Sequence, residues 1–160
     1  MKNYHKEIIK LAYASISIRS DNIDISFWQN YFGINADRAF GKGDTIVFPN
    51  GKTGGINHKQ GYWVYSTRHR LHDDQLDSHI NFLITKFGLP RSDLPDLLAR
   101  MNTAMRCLCF WNNYSSDRVA QISPHLQDIL AKSGIALEID EYPGTNNGHP
   151  WPDVADEVIP

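Results

Sequence analysis

The feature that most restricts the fold is the alternation of apolar and polar residues along IIKLAYASISIR, residues 8–19. In an extended chain the two faces would differ, with Ala12, Ala14, Ile16 and Ile18 on one and Tyr13, Ser15, Ser17 and Arg19 on the other. Because side chains of a strand point alternately to opposite faces, this period of two predicts a strand that is covered on one face only. The fold therefore needs a sheet whose second face stays polar.

The remaining pattern predicts helices and further strands in a mixed order. Apolar residues three or four apart predict helices over residues 25–32, 73–87, 92–101 and 123–134. Strands are predicted over residues 34–48, with a break near Gly41 and Gly43, and over residues 62–67, 103–111 and 135–142. Residues 49–61 are rich in turn formers, so they are predicted to be a surface loop.

This order, β-α-β-β-α(α)-β-α-β, indicates the α+β class. Half-polar strands favour a mostly antiparallel sheet with helices packed on one face, and the specific arrangement predicted is a ferredoxin-like sandwich. Residues 1–142 are predicted to form this single domain. Residues 143–160 are predicted to be a C-terminal tail packed on the surface, where Trp151 could hold it.

Charge and hydropathy exclude several classes of protein. The chain has 160 residues and a net charge of −2, which argues against a general nucleic-acid binder, although Trp63, Tyr65, Phe110 and Trp111 are strand aromatics. No apolar run reaches the roughly 20 residues of a membrane helix, and Ser15, Ser17 and Arg19 interrupt the N-terminal apolar stretch. We therefore expect a cytoplasmic protein with no cofactor, in which Cys107 and Cys109 are reduced and packed.

Several motifs in sequence order resemble a known family. They are ASISIR, then FGI after a short aromatic helix, ADRAFGKGD, GYWVYST, DDQLDSHINFL and SGIALEIDEY. Together they resemble the bacterial domain of unknown function DUF4279 over roughly residues 10–142, with Arg38, Lys42-Gly43-Asp44, Gly61 and Trp63 as the most telling residues. The resemblance implies the same fold but no activity. The chain departs from the pattern in residues 49–60 and after Pro143.

The stretch DRAFGKGDT, residues 37–45, has two glycines that flank a lysine, a pattern that suggests a phosphate-binding loop. A P-loop needs the order G-x-x-x-x-G-K-[ST] and a following helix, whereas here Asp44 and a strand-like IVF segment follow the lysine. A turn that uses glycine for backbone freedom is the better interpretation. Arg38, Lys42 and Asp44 could still form a small polar binding site beside Trp63.

A second group holds potential metal ligands in the stretch RHRLHDDQLDSHI. It contains His69, His72, Asp73, Asp77 and His79, but not the spacing of a known metal motif. We therefore predict no metal site. We expect instead a helix N-terminus that carries acids, with exposed histidines beside it.

The polar sheet face could pair Arg19 with Asp140 or Glu138 if the first and last strands are neighbours. Such a face suits a non-enzymatic protein-binding domain that uses the sheet face or residues 49–61, for example an immunity-type inhibitor of a toxin. An acidic patch would steer its partner: Asp140, Glu141, Asp153, Asp156 and Glu157. The alternative is a hydrolase or small-ligand enzyme with a site at Arg38, Lys42, Asp44 and Trp63 or a metal at the histidines. Membrane association is not expected.

Overall fold

The computed structural model describes residues 11–113 and 117–143, and these contain seven strands and four helices. The elements, in chain order, are β1 (Ala12–Ser20), α1 (Ile25–Phe32), β2 (Arg38–Phe40), β3 (Thr45–Val47), β4 (Thr53–Asn57), β5 (Gly61–Ser66), α2 (Leu76–Phe87), α3 (Leu94–Arg100), β6 (Ala104–Asn113), α4 (Pro124–Lys132) and β7 (Ala136–Pro143). Pro143, the first residue of the predicted tail, ends β7, and the rest of the tail, with Trp151 and the acids at 153, 156 and 157, lies outside the described residues. Across the described part, no helix has the length and apolar character needed to cross a membrane.

Five strands form one sheet in the order β2-β5-β1-β6-β7. β1 lies at the centre and runs antiparallel to both β5 and β6, and β2 runs antiparallel to β5. Only β7 is parallel to its neighbour, β6. The predicted α+β class and mostly antiparallel sheet are therefore confirmed, whereas the ferredoxin-like arrangement is not.

The hydrophobic core lies on one face of the sheet. Ala14, Ile16 and Ile18 of β1 are fully buried there, and residues from all four helices join the same cluster. Burying an isoleucine contributes about 1.5–3 kcal/mol, so β1 alone anchors the sheet firmly to the helices. The predicted packing of helices against the apolar side of residues 12–18 follows from this cluster.

The sheet face opposite the core is less exposed to solvent than the alternation predicts. Tyr13 and Ser17 of β1 are only 8% and 2% exposed, although they lie outside the core cluster. The neighbouring strands cover this face with rings and long side chains, since Tyr13 stacks on Phe110 with 4.7 Å between ring centroids. The Arg19 guanidinium also lies 5.5 Å from the centre of the Tyr62 ring. The prediction of a solvated face is wrong at these positions because aromatic side chains of neighbouring strands shield one another.

The prediction of a loop over residues 49–61 also needs correction. β4 lies within this stretch and pairs antiparallel with β3 to form a separate two-stranded hairpin. The sequence pattern did not predict β4, because glycine is normally unfavourable in strands and β4 contains two glycines. A Cβ atom at Gly54 would lie 2.6 Å from the Phe48 ring, so a larger residue there would have to displace that part-exposed side chain.

Candidate functional site

The stretch that suggested a phosphate loop forms the turn that leads into the hairpin. The Asp44 carboxylate accepts a hydrogen bond of 2.7 Å from the Gly41 amide, and Gly43 adopts a φ of +87°. Two backbone hydrogen bonds then join Gly43 and Asp44 to His58, at 2.8 and 2.9 Å. The turn interpretation is confirmed, and it explains Asp44 as the residue that closes the turn.

A groove of about 520 Å³ lies beside this turn. β2 and the hairpin both contribute to its walls, which include Arg38, Phe40, Asp44, Val47, Phe48 and His58. Its volume lies in the range of small-molecule sites. The groove combines an apolar wall with one basic and one acidic side chain, so it is the candidate functional site.

The hairpin carries an exposed apolar patch, defined here as Val47, Phe48 and Ile56. These side chains are 56%, 42% and 57% exposed. Single exposed apolar residues are ordinary on a protein surface, but three in one small hairpin next to a groove indicate an interaction surface. We call them the hairpin patch.

A stack of rings joins the hairpin to the main sheet. The imidazole of His58 lies on the Phe40 ring with 3.4 Å between centroids, and Tyr62 stacks on Phe40 at 5.5 Å. Burial and the nearby Arg38 guanidinium lower the pKa of His58, and Asp44 opposes them only in part. The histidine is therefore neutral near pH 7, which suits its position against an aromatic face beside a cation.

The structure brings together only some of the residues predicted to form a polar site. Arg38 and Asp44 both line the groove. Lys42 points away from them and lies 3.7 Å from Asp21, with both side chains more than half exposed. Trp63 is fully buried in the core cluster. In the register of β2 and β5, Trp63 pairs with Ala39 whereas Arg38 pairs with Val64, so Trp63 and Arg38 occupy opposite faces.

Arg19 and Asp140 do not meet, because β6 lies between β1 and β7. Arg106 of β6 takes the predicted role and lies 2.9 Å from Glu138. Asp140 instead accepts a hydrogen bond of 2.9 Å from the Tyr142 hydroxyl. Burial lowers the pKa of Arg19, and the like charge of Arg106 lowers it further. Arg19 lies nearer the candidate site, since it lines a small cleft that shares Phe40 and His58 with the groove.

The predicted exposure of the histidines is wrong for His79. That side chain is fully buried, with Nδ1 2.7 Å from the Thr67 hydroxyl and Nε2 2.8 Å from the Asp73 carbonyl oxygen. His69 and His72 are exposed. The described residues contain no group of three or more histidine, cysteine, aspartate or glutamate side chains that could hold a metal ion. The position of His79, three residues after Leu76, could have indicated its core-facing place.

The two cysteines are free and buried on the core side of β6. A hydrogen bond with Cys109, together with burial, raises the pKa of Cys107 well above the usual range. A thiol with a raised pKa is a poor nucleophile, so this pair belongs to the core rather than to a reactive site.

Sequence reasoning missed His58, Phe40 and the hairpin patch as site residues. The strand at residues 45–48 was predictable from the sequence, because TIVF is a β-branched and aromatic run directly after a glycine turn. Its partner strand, TGGIN, contains two glycines, which concealed the pairing. The groove exists only because this hairpin stands beside β2.

Comparison with known proteins gives one match. The family model described as Domain of unknown function (DUF4279) matches residues 9–144. No curated protein matches the chain. No solved structure matches it either.

Proposed function

The chain belongs to the DUF4279 family, and we propose that it is a non-enzymatic protein-binding domain that uses the groove and the hairpin patch. The hairpin patch carries this proposal, because Val47, Phe48 and Ile56 are 42–57% exposed beside a groove of about 520 Å³. Exposed apolar side chains beside a groove favour association with another protein. The predicted binding residues Arg38 and Asp44 lie in the groove, and Arg19 lies at its margin.

An immunity-type inhibitor in the bacterial cytoplasm is the specific form that we propose. Such a protein must cover a site on its target tightly, and tight interfaces combine an apolar centre with charged side chains around it. The hairpin patch supplies the apolar centre, and Arg38 and Asp44 supply charges in the groove beside it. Two residues of the predicted acidic patch, Asp140 and Glu141, lie on β7, at the edge of the sheet opposite β2.

The test compares two triple variants of the full chain as affinity baits in bacterial extract. One replaces the hairpin patch (Val47→Ser, Phe48→Ser and Ile56→Thr). The control changes exposed apolar residues elsewhere (Val119→Ser and Ile139→Thr), which are 69% and 43% exposed, together with Ala131→Ser at an exposed position of α4. A partner identified with the wild-type chain is then purified and titrated by calorimetry.

We expect the hairpin variant to bind that partner at least about tenfold more weakly and the control variant to bind within about twofold. Circular dichroism shows whether each variant is folded. Equal affinity of all three proteins would exclude the hairpin patch as the binding surface. The absence of any stoichiometric partner of the folded wild-type chain would exclude the proposed function itself.

A small-ligand enzyme or hydrolase is the second candidate, and the groove volume favours it. A volume of about 520 Å³ accommodates a small molecule, and Arg38, Asp44 and neutral His58 are the polar groups at its walls. Elemental analysis of purified protein and thermal-shift screening with small anions distinguish this candidate. A bound metal lost in His72→Ala, or a ligand shift lost in His58→Ala, would favour an enzyme over a protein-binding domain.

We also propose that four of the strands form a ferredoxin-like core. The order β2-β5-β1-β6, antiparallel at each step, supports this. β1 and β2 run parallel with α1 between them in sequence and β5 between them in space, which is a split βαβ unit. In this interpretation the hairpin is an insertion between the second and third core strands, and α4 with β7 is an addition at the end.

A further inference from the structure

The strand β2 has an edge without a strand partner among the described residues. It is the terminal strand of the five-stranded sheet and pairs only with β5. Such an edge presents outward backbone amides and carbonyls that can pair with another strand. Three residues make a short edge, so backbone pairing alone would bind a peptide weakly, and side-chain contacts must contribute as well.

The hairpin supplies those side-chain contacts from the other wall of the groove. β3 pairs only with β4 in the described structure, and residues 45–49 line the groove opposite Arg38, Ala39 and Phe40. Neighbouring strands lie about 4.8 Å apart, so a single extended segment between the walls could contact both. Val47 and Phe48 both line this wall, so they could contact apolar side chains of that segment.

The charge around the groove differs in sign from that of the whole chain. Three basic side chains (Arg19, Arg38 and Lys59) and one acidic side chain (Asp44) line the groove and the small cleft that adjoins it, a net charge of +2 within a chain of net charge −2. Lys59 is exposed, and Arg19 is half-buried. This local excess attracts an acidic segment.

A nucleic acid fits this surface less well than a peptide. Single-stranded nucleic acids need exposed aromatic faces on which their bases stack. The faces of Phe40 are occupied by His58 and Tyr62. Within the hairpin patch, Val47 and Ile56 are aliphatic and Phe48 is the one aromatic side chain, so the patch offers a single position for base stacking.

We propose that the groove binds an extended, acidic segment of a partner protein, which adds as a strand to the open edge of β2. This inference rests on the proposed function and specifies the chemistry of the partner. An acidic side chain of the added strand lies beside Arg38, and apolar side chains alternate with it against Val47 and Phe48. Residue alternation in the partner, acidic and apolar with a period of two, is the recognition signal.

The test uses three fluorescein-labelled peptides of about ten residues, a length suited to one strand. The first alternates glutamate and valine, the second alternates lysine and valine, and the third is the first with alternate backbone amides methylated. Fluorescence anisotropy measures binding of each peptide to the folded full chain. We expect saturable binding of the first peptide, weakened by salt, and at least about tenfold weaker binding of the other two.

Charge-reversal variants locate the binding site. Arg38→Glu is expected to weaken binding of the glutamate–valine peptide by about tenfold, because it places like charges together. Arg100→Glu makes the same change in net charge at an exposed position on α3 and is expected to change the affinity by less than about twofold. If Arg100→Glu weakens peptide binding as much as Arg38→Glu does, the effect comes from the overall charge of the protein, and the proposal is overturned.

Other outcomes also overturn the inference. Equal binding of the methylated and unmethylated peptides would exclude binding by addition of a strand to β2. Failure of the glutamate–valine peptide to bind would exclude an acidic segment as the ligand. If neutralising Asp153, Asp156 and Glu157 in the full chain strengthens peptide binding by about tenfold, the tail of the chain itself occupies the groove. If the protein dimerises and Ile56→Thr abolishes the dimer, a second molecule of the same chain occupies the groove. In the first two cases a purified partner that still binds through the hairpin patch would leave the proposed function intact.

Discussion

The imidazole of His58 and the ring of Phe40 lie face to face, with 3.4 Å between their centroids and 13° between their planes. His58 follows β4 in the hairpin, and Phe40 ends β2 of the main sheet. Phe40 in turn contacts Tyr62 of β5, so the stack holds one wall of the groove against the other. The shape of the candidate site therefore depends on a contact between two residues separated by a turn and a hairpin.

Removal of the imidazole should loosen the hairpin without unfolding the domain. In His58→Ala we expect amide hydrogen exchange over residues 45–57 to speed up by about two- to tenfold, because the stacked contact is worth roughly 0.5–1.5 kcal/mol. His125→Ala removes an exposed histidine of α4 and should leave those rates unchanged. Unaltered exchange in His58→Ala would show that the backbone hydrogen bonds of the turn hold the hairpin by themselves.

The same histidine predicts a pH dependence of the hairpin. Burial and Arg38 lower the pKa of His58, so the folded hairpin binds its proton less readily than the open one does. The stabilisation is therefore complete above the ordinary histidine pKa of 6.5 and is lost as the pH falls through the lower folded value. Hydrogen exchange of the hairpin, compared at equal intrinsic rates from about pH 7 to 5, should show this loss in the wild-type chain and not in His58→Gln.

Asp37 and Arg70 form a bidentate ion pair, with hydrogen bonds of 2.8 and 2.6 Å, at the start of β2. Burial acts to raise the pKa of Asp37, but Arg70 and the Ser66 amide outweigh it and bring the pKa below its ordinary 3.8. Because the folded pKa is depressed, the stabilisation is present above pH 3.8 and is lost as the pH falls through the folded value. Asp37→Asn should lower the free energy of unfolding by about 0.5–1 kcal/mol near pH 7 and by less in acid.

Urea denaturation of the wild-type chain and Asp37→Asn at a series of pH values measures this difference. Asp128→Asn is a suitable control, because it breaks a more exposed pair with Lys132 within one helix. A constant difference between the wild-type chain and Asp37→Asn down to about pH 2 would contradict the assignment of a depressed pKa to Asp37.

His79 connects β5 and α2 through buried hydrogen bonds. Its Nδ1 lies 2.7 Å from the hydroxyl of Thr67, which also accepts a hydrogen bond of 3.0 Å from the Ala14 amide. His79→Ala should lower the free energy of unfolding by about 2–4 kcal/mol, since it leaves both a cavity and unpaired polar groups. Chemical denaturation measures the change. His72→Ala, at an exposed position, should cost less than about 0.5 kcal/mol, and an equal cost in both variants would contradict a buried role for His79.

Gly61 has a packing reason that is independent of any binding role. A Cβ atom there would lie 2.4 Å from the Ile23 side chain and 2.7 Å from the Ser20 carbonyl oxygen, which belongs to the backbone and cannot move aside. Gly61→Ala should therefore lower the free energy of unfolding by about 1–3 kcal/mol, as measured by thermal or urea unfolding. Gly41→Ala is the control, since its Cβ would meet nothing closer than 3.5 Å. Equal stability of the two variants would show that β1 and β5 can separate at this point.

The sequence by itself determined the sheet-and-helix architecture. The alternation over residues 12–19 predicted β1, and apolar residues three or four apart predicted the four helices of the described residues within a few residues of their ends. These elements can be predicted from sequence because each one buries a single face, and that face appears as a periodic pattern within one local stretch of the chain. The turn at Gly41–Asp44 was predictable for the same local reason.

Only the tertiary structure decided which residues share a surface. It inserted β6 between β1 and β7, which separated Arg19 from Asp140. It placed Trp63 in the core, and it brought His58 and Phe48 to the groove of Arg38. Strand order and register are set by contacts between segments far apart in sequence, and a shift of one residue exchanges the faces of a strand. No local pattern in this chain records that choice, so the groove could be found only once the hairpin and β2 were placed side by side.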